Sequence, residues 1–135
     1  MQDKGNAGKT RFFRSASAYE NLIGFSRAVR RGSRIAVSGT APIDENGETV
    51  VGDAYVQAKR CLEVILEAVE GLGGTIEDIV RTRVFVIDAS DWDALGRAHG
   101  EFFGENYPAA TLVVVKGLLD PRWRVEIEAD AEVLS

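Results

Sequence analysis

One cysteine and one histidine are all that the 135-residue chain holds of the usual soft metal ligands. The lone Cys61 excludes an intramolecular disulfide framework and suits a reducing compartment. One thiol and one imidazole do not make a ligand set, so no metal and no other cofactor is expected. No apolar run reaches the roughly 18 residues of a membrane-spanning helix. Met1-Gln2-Asp3-Lys4-Gly5-Asn6 lacks the apolar core of a signal peptide, so no membrane partner and a cytoplasmic location are the expectations. Positive charge is also short. Sixteen Lys and Arg face 21 Asp and Glu, giving a net charge of -5 and a pI near 4.9. Nucleic-acid affinity rests on neutralising phosphates with cations, so no nucleic-acid partner is expected. The one basic cluster, Arg27, Arg30, Arg31 and Arg34, has no interleaved aromatics and reads as the solvated rim of a hairpin.

What is present, 45% hydrophobic and 27% charged residues, fits a single globular domain over residues 11–135. Residues 1–10 are polar and glycine-bearing and are expected to be disordered, with Arg11-Phe12-Phe13-Arg14 as a short first strand. Residues 24–30 and 34–39 flank Arg31-Gly32-Ser33 as a hairpin. Asp44-Glu45-Asn46-Gly47 marks a second turn inside a polar loop over residues 40–52. From Asp53, a capping residue, the period changes. Ala58, Cys61, Leu62, Ile65, Val69 and Leu72 recur at helical spacing, with Gln57, Lys59, Arg60, Glu63, Glu67 and Glu70 elsewhere. Residues 79–87 read as a strand, and Ser90 and Asp91 open a second helix with the stripe Trp92, Leu95, His99, Phe102 and Phe103. Thr111-Leu112-Val113-Val114-Val115 is a further strand.

The last strand alternates without a fault. Arg124, Glu126, Glu128, Asp130 and Glu132 share one face, and Val125, Ile127, Ala129, Ala131 and Val133 the other. On its own it reads as a sheet edge with one solvated face. Its setting changes that reading, because two crossover helices cover only one face of a mixed sheet. The strands nevertheless look apolar on both faces: Val80, Val84 and Val86 oppose Phe85 and Ile87, and Thr111, Val113 and Val115 oppose Leu112 and Val114. Other copies of the chain are expected to cover the second face. There the acids need partners, and Arg81 and Arg83 stand on the right strand face to supply them.

Several stretches carry a resemblance. The hairpin end Val37-Ser38-Gly39-Thr40, the helix around Gln57-Ala58 and Leu62, and the run Gly71-Leu72-Gly73-Gly74-Thr75 through Val84-Phe85-Val86 resemble the Rid family. So do Phe102-Phe103, Pro108-Ala109-Ala110-Thr111 and Val125-Glu126-Ile127-Glu128-Ala129. This is the YjgF-like superfamily of reactive-intermediate deaminases, also labelled endoribonuclease L-PSP or translation inhibitors, and the likeness runs in order over residues 17–134. It implies a chorismate-mutase-like α+β fold, a mixed β-sheet with two helices on one face. It also implies a homotrimer with a central barrel and small-molecule clefts between subunits.

In the deaminating members the segment after the second helix reads Pro-Ala-Arg-Ser or Pro-Thr-Arg-Thr, and its arginine grips the carboxylate of a 2-aminoacrylate-type enamine or imine. Here that position is Ala110, which offers neither charge nor bidentate donors. The family's pocket tyrosine corresponds to Phe25, and a pocket asparagine to Gly96. What the resemblance leaves is Glu126, matching the acid that holds the hydrolytic water, and the Ser38-Gly39 strand end, with Val84, Phe85 and Thr111 as further cleft residues. Glu126 is either that catalytic acid or a structural acid paired with an arginine at the trimer interface. His99 reads as a packed histidine on its helix stripe, although its place one turn from Gly96 keeps it as a pocket donor. Arg122 or Arg124, in a loop one residue longer than in the deaminating members, is a replacement cation or part of a surface turn. Trp123 shelters the cleft or packs on a neighbour. The expected function is a divergent imine or enamine hydrolase acting on a small metabolite without the usual carboxylate. The alternatives are a non-catalytic small-ligand-binding trimer and, weaker for an acidic chain with one histidine, an endoribonuclease or translation inhibitor.

Overall fold

The computed structural model describes residues 9–134. Most of the segment expected to be disordered, residues 1–8, therefore lies outside the described residues, while Thr10 already belongs to a strand. β1 (Thr10–Phe13) pairs with β2 (Ala28–Arg31), and β2 with β3 (Arg34–Thr40). The β2–β3 hairpin closes in two residues because Gly32 takes a φ of +62°, which a side-chain-bearing residue rarely adopts. The hairpin's first strand does not begin at Gly24. Residues Glu20–Gly24 form a π-helical turn instead, and pairing starts only at Ala28.

Two helices follow the sequence pattern closely. α1 (Ala54–Gly71) is capped by the Asp53 carboxylate, which accepts from the Val56 N–H at 2.9 Å. Its apolar stripe, Ala58, Cys61, Leu62, Ile65 and Val69, is fully buried. Gln57 departs from the polar face assigned to it: it is buried and accepts from the Arg124 N–H while donating to the carbonyls of Val50 and Arg122. One amide thus fastens two loops to the helix. α2 (Trp92–Phe103) is entered through a 3-10 turn, Ala89–Asp91, capped by Asp88 rather than by Ser90 or Asp91. Trp92 leaves the expected apolar stripe and is 64% exposed at the first residue of the helix.

The six strands form one mixed sheet in the order β1-β2-β3-β6-β4-β5. β4 (Ile79–Val86) and β5 (Ala109–Val114) run parallel, and every other pair is antiparallel. The alternating strand β6 (Val125–Glu132) is therefore central, not an edge. Its odd-numbered residues are buried beneath the helices, in a core with Ile35, Leu62, Ile65 and Val86. Its even-numbered acids face the side that no helix covers. A bulge separates Ile79 from Arg81 in the pairing with β6, so Val80 falls out of the alternation and is 50% exposed instead of sharing a face with Val84 and Val86. Every residue of β5 is exposed in the single chain, including Leu112, Val113 and Val114. Among the described residues, no helix is long and apolar enough to cross a membrane.

The core reading predicts that Ile65→Ala and Ile127→Ala each lower the unfolding free energy by about 2–5 kcal/mol. Val80→Ala at the bulge stays within about 0.5 kcal/mol. Urea midpoints at constant slope read both.

Candidate functional site

The strict period of β6 aims Glu126 at the open face, opposite Phe85 on β4. On its other side the β3–β6 register slips between Val37 and Thr40, and this irregularity brings Gly39 against the acid. A methyl group added at Gly39 would sit 2.6 Å from Oε2 of Glu126, so glycine at this position is a matter of space for the carboxylate. Burial pushes the Glu126 carboxyl above its ordinary value, the charge of Arg27 opposes that shift, and Glu128 adds to it. The result is a half-buried carboxylate that holds a proton more readily than a surface acid. Such a group can take a proton from water and return it.

Beneath Gly39 lies an ion-pair network that the sequence pattern did not reveal. Arg27, expected on a solvated rim, is only 3% exposed. Its Nε donates to Glu20 Oε2 at 3.2 Å, and its Nη1 donates to the Gly39 carbonyl and to Thr40 Oγ1. The guanidinium lies 5.2 Å from the centre of the Phe25 ring. Glu20 also accepts from Ser15 and from Arg14 Nε. Burial opposes its ionisation, but the hydrogen bonds from Ser15 and Arg14 and the charge of Arg27 outweigh this and hold its carboxyl below the usual range. Ser38 is fixed at the strand end as well, its Oγ donating to the Ser26 carbonyl and its N–H to that of Arg27. Phe12, Phe25, Val29 and Ser38 line an open depression beside this network.

The remaining expected site residues stand elsewhere. Ala110 pairs with Thr82 across the parallel β4–β5 ladder, and Thr111 with Arg83. The two positions therefore point to opposite faces, Ala110 to the helix side and Thr111 to the open side. His99 reaches from α2 to Thr82, Nε2 to Oγ1 at 2.8 Å, and packs on Phe103. Burial lowers its pKa, so the ring is neutral at physiological pH. Gly96 lies on the exposed side of the same helix with open space around it, and Val84 is a core side chain. One chain thus brings Phe25, Ser38, Gly39, Phe85 and Glu126 together at one place. It brings Ala110, His99 and Thr82 together at another, on the opposite side of the sheet.

Of the two open-face cations on β4, Arg83 is committed to other acids, its Nη1 bonding Glu128 at 3.2 Å and Asp130 at 3.3 Å, while Arg81, opposite Asp130 in register, forms no ion pair among the described residues. Arg122 forms a two-pronged pair with Asp120, whose carboxyl its hydrogen bonds pull down to about 2, and Arg124 pairs with Asp91. Neither arginine faces Ala110 as a free cation within the chain. Trp123 is a packing residue, its indole N–H donating to Thr49 Oγ1 and its ring meeting Tyr19 edge-on. Cys61 is buried, and burial raises its thiol far above the reactive range. Among the described residues no group of His, Cys, Asp and Glu is arranged to hold a metal. Sequence reasoning missed Glu20, Arg27 and Gln57, three buried polar side chains. The one signal for the pair was a Glu and an Arg flanking the Gly24-Phe25 turn.

Comparisons with known proteins agree with this architecture. Residues 15–133 match the family model described as Endoribonuclease L-PSP. An uncharacterised protein of Streptomyces coelicolor is 40% identical over 117 residues, 87% of each chain. The 3-aminoacrylate deaminase RutC of Acinetobacter baylyi is 36% identical over 83% of this chain and 89% of its own. The crystal structure of Rv2704 from Mycobacterium tuberculosis, a member of the YjgF/YER057c/UK114 family, superposes with a TM-score of 0.84 at 37% identity, covering 93% of this chain and all of that one.

The buried pair carries a stability prediction. Glu20→Gln leaves Arg27 uncompensated and lowers the unfolding free energy at pH 7 by about 3 kcal/mol. A depressed carboxyl contributes fully above its ordinary value of 4.5 and loses that contribution as pH falls through its lower folded value. The difference between wild type and Glu20→Gln therefore closes below pH 4.5, as read from denaturation midpoints against pH.

Proposed function

From the premise that the chain belongs to the endoribonuclease L-PSP family, we propose that it is a homotrimeric hydrolase of small imines or enamines whose reacting molecule lacks the carboxylate that deaminating relatives bind. The observation that carries this reading is Glu126, a half-buried carboxylate against Gly39 with a raised pKa and no arginine bonded to it among the described residues. The acid receives a proton from a water as the water oxygen bonds to the imine carbon. That proton passes to nitrogen to give a tetrahedral carbinolamine, whose hydroxyl proton then moves to the amine as the C–N bond breaks, releasing ammonia and leaving a carbonyl. The strand end at Ser38 and Gly39 borders the place where the imine would lie.

Two features support this assembly. β5 is apolar, exposed and at the sheet edge, and the open face carries Phe12, Val29, Phe85 and Val113 among its charges. Such a surface is covered in an oligomer. The Glu126 group and the Ala110 group lie on opposite faces of one chain, so a cleft using both is built from two copies. A relative named 3-aminoacrylate deaminase processes, by that name, an enamine with a carboxylate. Position 110 here supplies no cation for such a group, which is why an uncharged substrate fits this chain better. Charge composition and the absence of an acid and base pair speak against ribonuclease chemistry.

Two measurements test the proposal. Imines generated in situ by oxidation of uncharged amines release ammonia under the enzyme. Glu126→Gln slows that release by at least about 100-fold while size-exclusion light scattering still reports three chains. Unchanged turnover excludes the acid from the chemistry and leaves a ligand-binding trimer. In the second, Ala110→Arg gains turnover of 2-aminoacrylate-type substrates relative to wild type. Equal activity of the two would show that position 110 does not set substrate charge.

A further inference from the structure

We infer that Arg27 is a positioning residue for Glu126, acting through the Gly39 backbone it holds and through the charge it keeps buried under the site. This rests on the reading of Glu126 as the working carboxylate and adds a residue that the resemblance to deaminating relatives does not assign.

The geometry forms a continuous chain. Glu20, itself fixed by Ser15 and Arg14, orients the Arg27 guanidinium. Arg27 Nη1 then donates to the Gly39 carbonyl and to Thr40 Oγ1, which in turn donates to the Ser38 carbonyl at 2.8 Å. These bonds span the stretch where β3 leaves regular register with β6. That irregularity brings the Glu126 carboxylate into the space that a side chain at residue 39 would need. If the Gly39 carbonyl lost its donor, the bend would rest on the bonds of Ser38 and Thr40 alone, and the seat of the carboxylate would change.

The electrostatic part has a definite sign. The groups around Glu126 are Arg27 just before β2, Glu128 on its own strand, Arg83 on β4, Arg124 just before β6 and Cys61 from α1 behind the strand. Arg83 is engaged by Glu128 and Asp130, and Arg124 by Asp91, while the Cys61 thiol stays protonated. Burial and Glu128 favour the protonated acid, and Arg27 alone among these is the opposing influence on it. Arg27 is shared with Glu20, so removing Glu20's charge frees more of the guanidinium's field for Glu126. The two halves of the pair therefore move Glu126 in opposite directions, which a purely structural role would not do.

The test is a carboxyl carbon NMR titration of Glu126 in the full-length protein, assigned by its loss in Glu126→Gln. In Arg27→Gln the Glu126 midpoint rises by about one pH unit or more. In Arg27→Lys, which keeps the charge, it moves less than half as far. In Glu20→Gln it falls. A midpoint in folded Arg27→Gln within about 0.2 pH units of wild type overturns the inference. Should Arg27→Gln fail to fold, the sign of the shift in Glu20→Gln decides, a rise or no movement being the adverse result. The readout does not depend on turnover. Loss of the catalytic reading through an active Glu126→Gln variant would thus leave the coupling intact, and loss of the coupling would leave that reading intact.

Discussion

Two helices are too few to cover both faces of six strands, and the rest of the molecule follows from how that shortage is met. α1 and α2 share one side and bury Ile35, Leu62, Ile65, Val86 and Ile127 there. The other side is left with a mixture that suits neither water nor a dry core: Phe12, Val29 and Phe85 beside Arg83, Glu126, Glu128 and Asp130. Charges in such a surface must be paired or used. Arg83 pairs two of the acids, and Glu126 stands apart from that arrangement. The functional candidate is thus the residue that the face's own charge pairing omits.

Glu126 is sheltered without being sealed. Gly39 removes a side chain where the carboxylate lies, and Arg27 balances part of the cost of burying it. The arginine in turn needs Glu20, since a lone buried guanidinium would be more costly than the pair. The elements that hold the acid therefore come from β3, the π-helical turn and the short link between that turn and β2. Gln57 and Trp123 perform the equivalent task for the loops at residues 40–52 and 115–124, tying both to α1 and to each other through Val50, Thr49 and Arg122.

Periodicity made most of the fold legible. The unbroken alternation of β6, the 3.6-residue stripe of α1 and its Asp53 cap all stand where the spacing puts them, because each is decided by local burial. The misreadings have a common cause. β6 looks like an edge strand by itself, and only pairing partners distant in sequence make it central. Val80 fits the strand pattern until a bulge, a property of two strands, moves it out. Arg27 and Gln57 look like surface residues because their partners, Glu20 with Gly39 and Val50 with Arg122, are brought close by the turn and the loops. The residues named from the family likeness fall in separate places: Glu126, Ser38 and Gly39 lie in one cluster, while Val84 turns to the core and His99 and Ala110 to the far side. A sequence compares positions along one chain, and which of them meet across a sheet is a relation between strands far apart in it.

The outer rim of β5 has a further meaning. Its backbone donors and acceptors on that side have no strand beside them among the described residues, and its side chains Leu112, Val113 and Val114 are of the kind that favours pairing with any extended segment. Such a border stays adhesive for as long as it is unmatched, so wherever copies associate through it, folding and capture are not separable events. The thermal midpoint of such a protein depends on its concentration. The time a newly made chain spends alone, more than any weakness in its core, sets its exposure to misassembly.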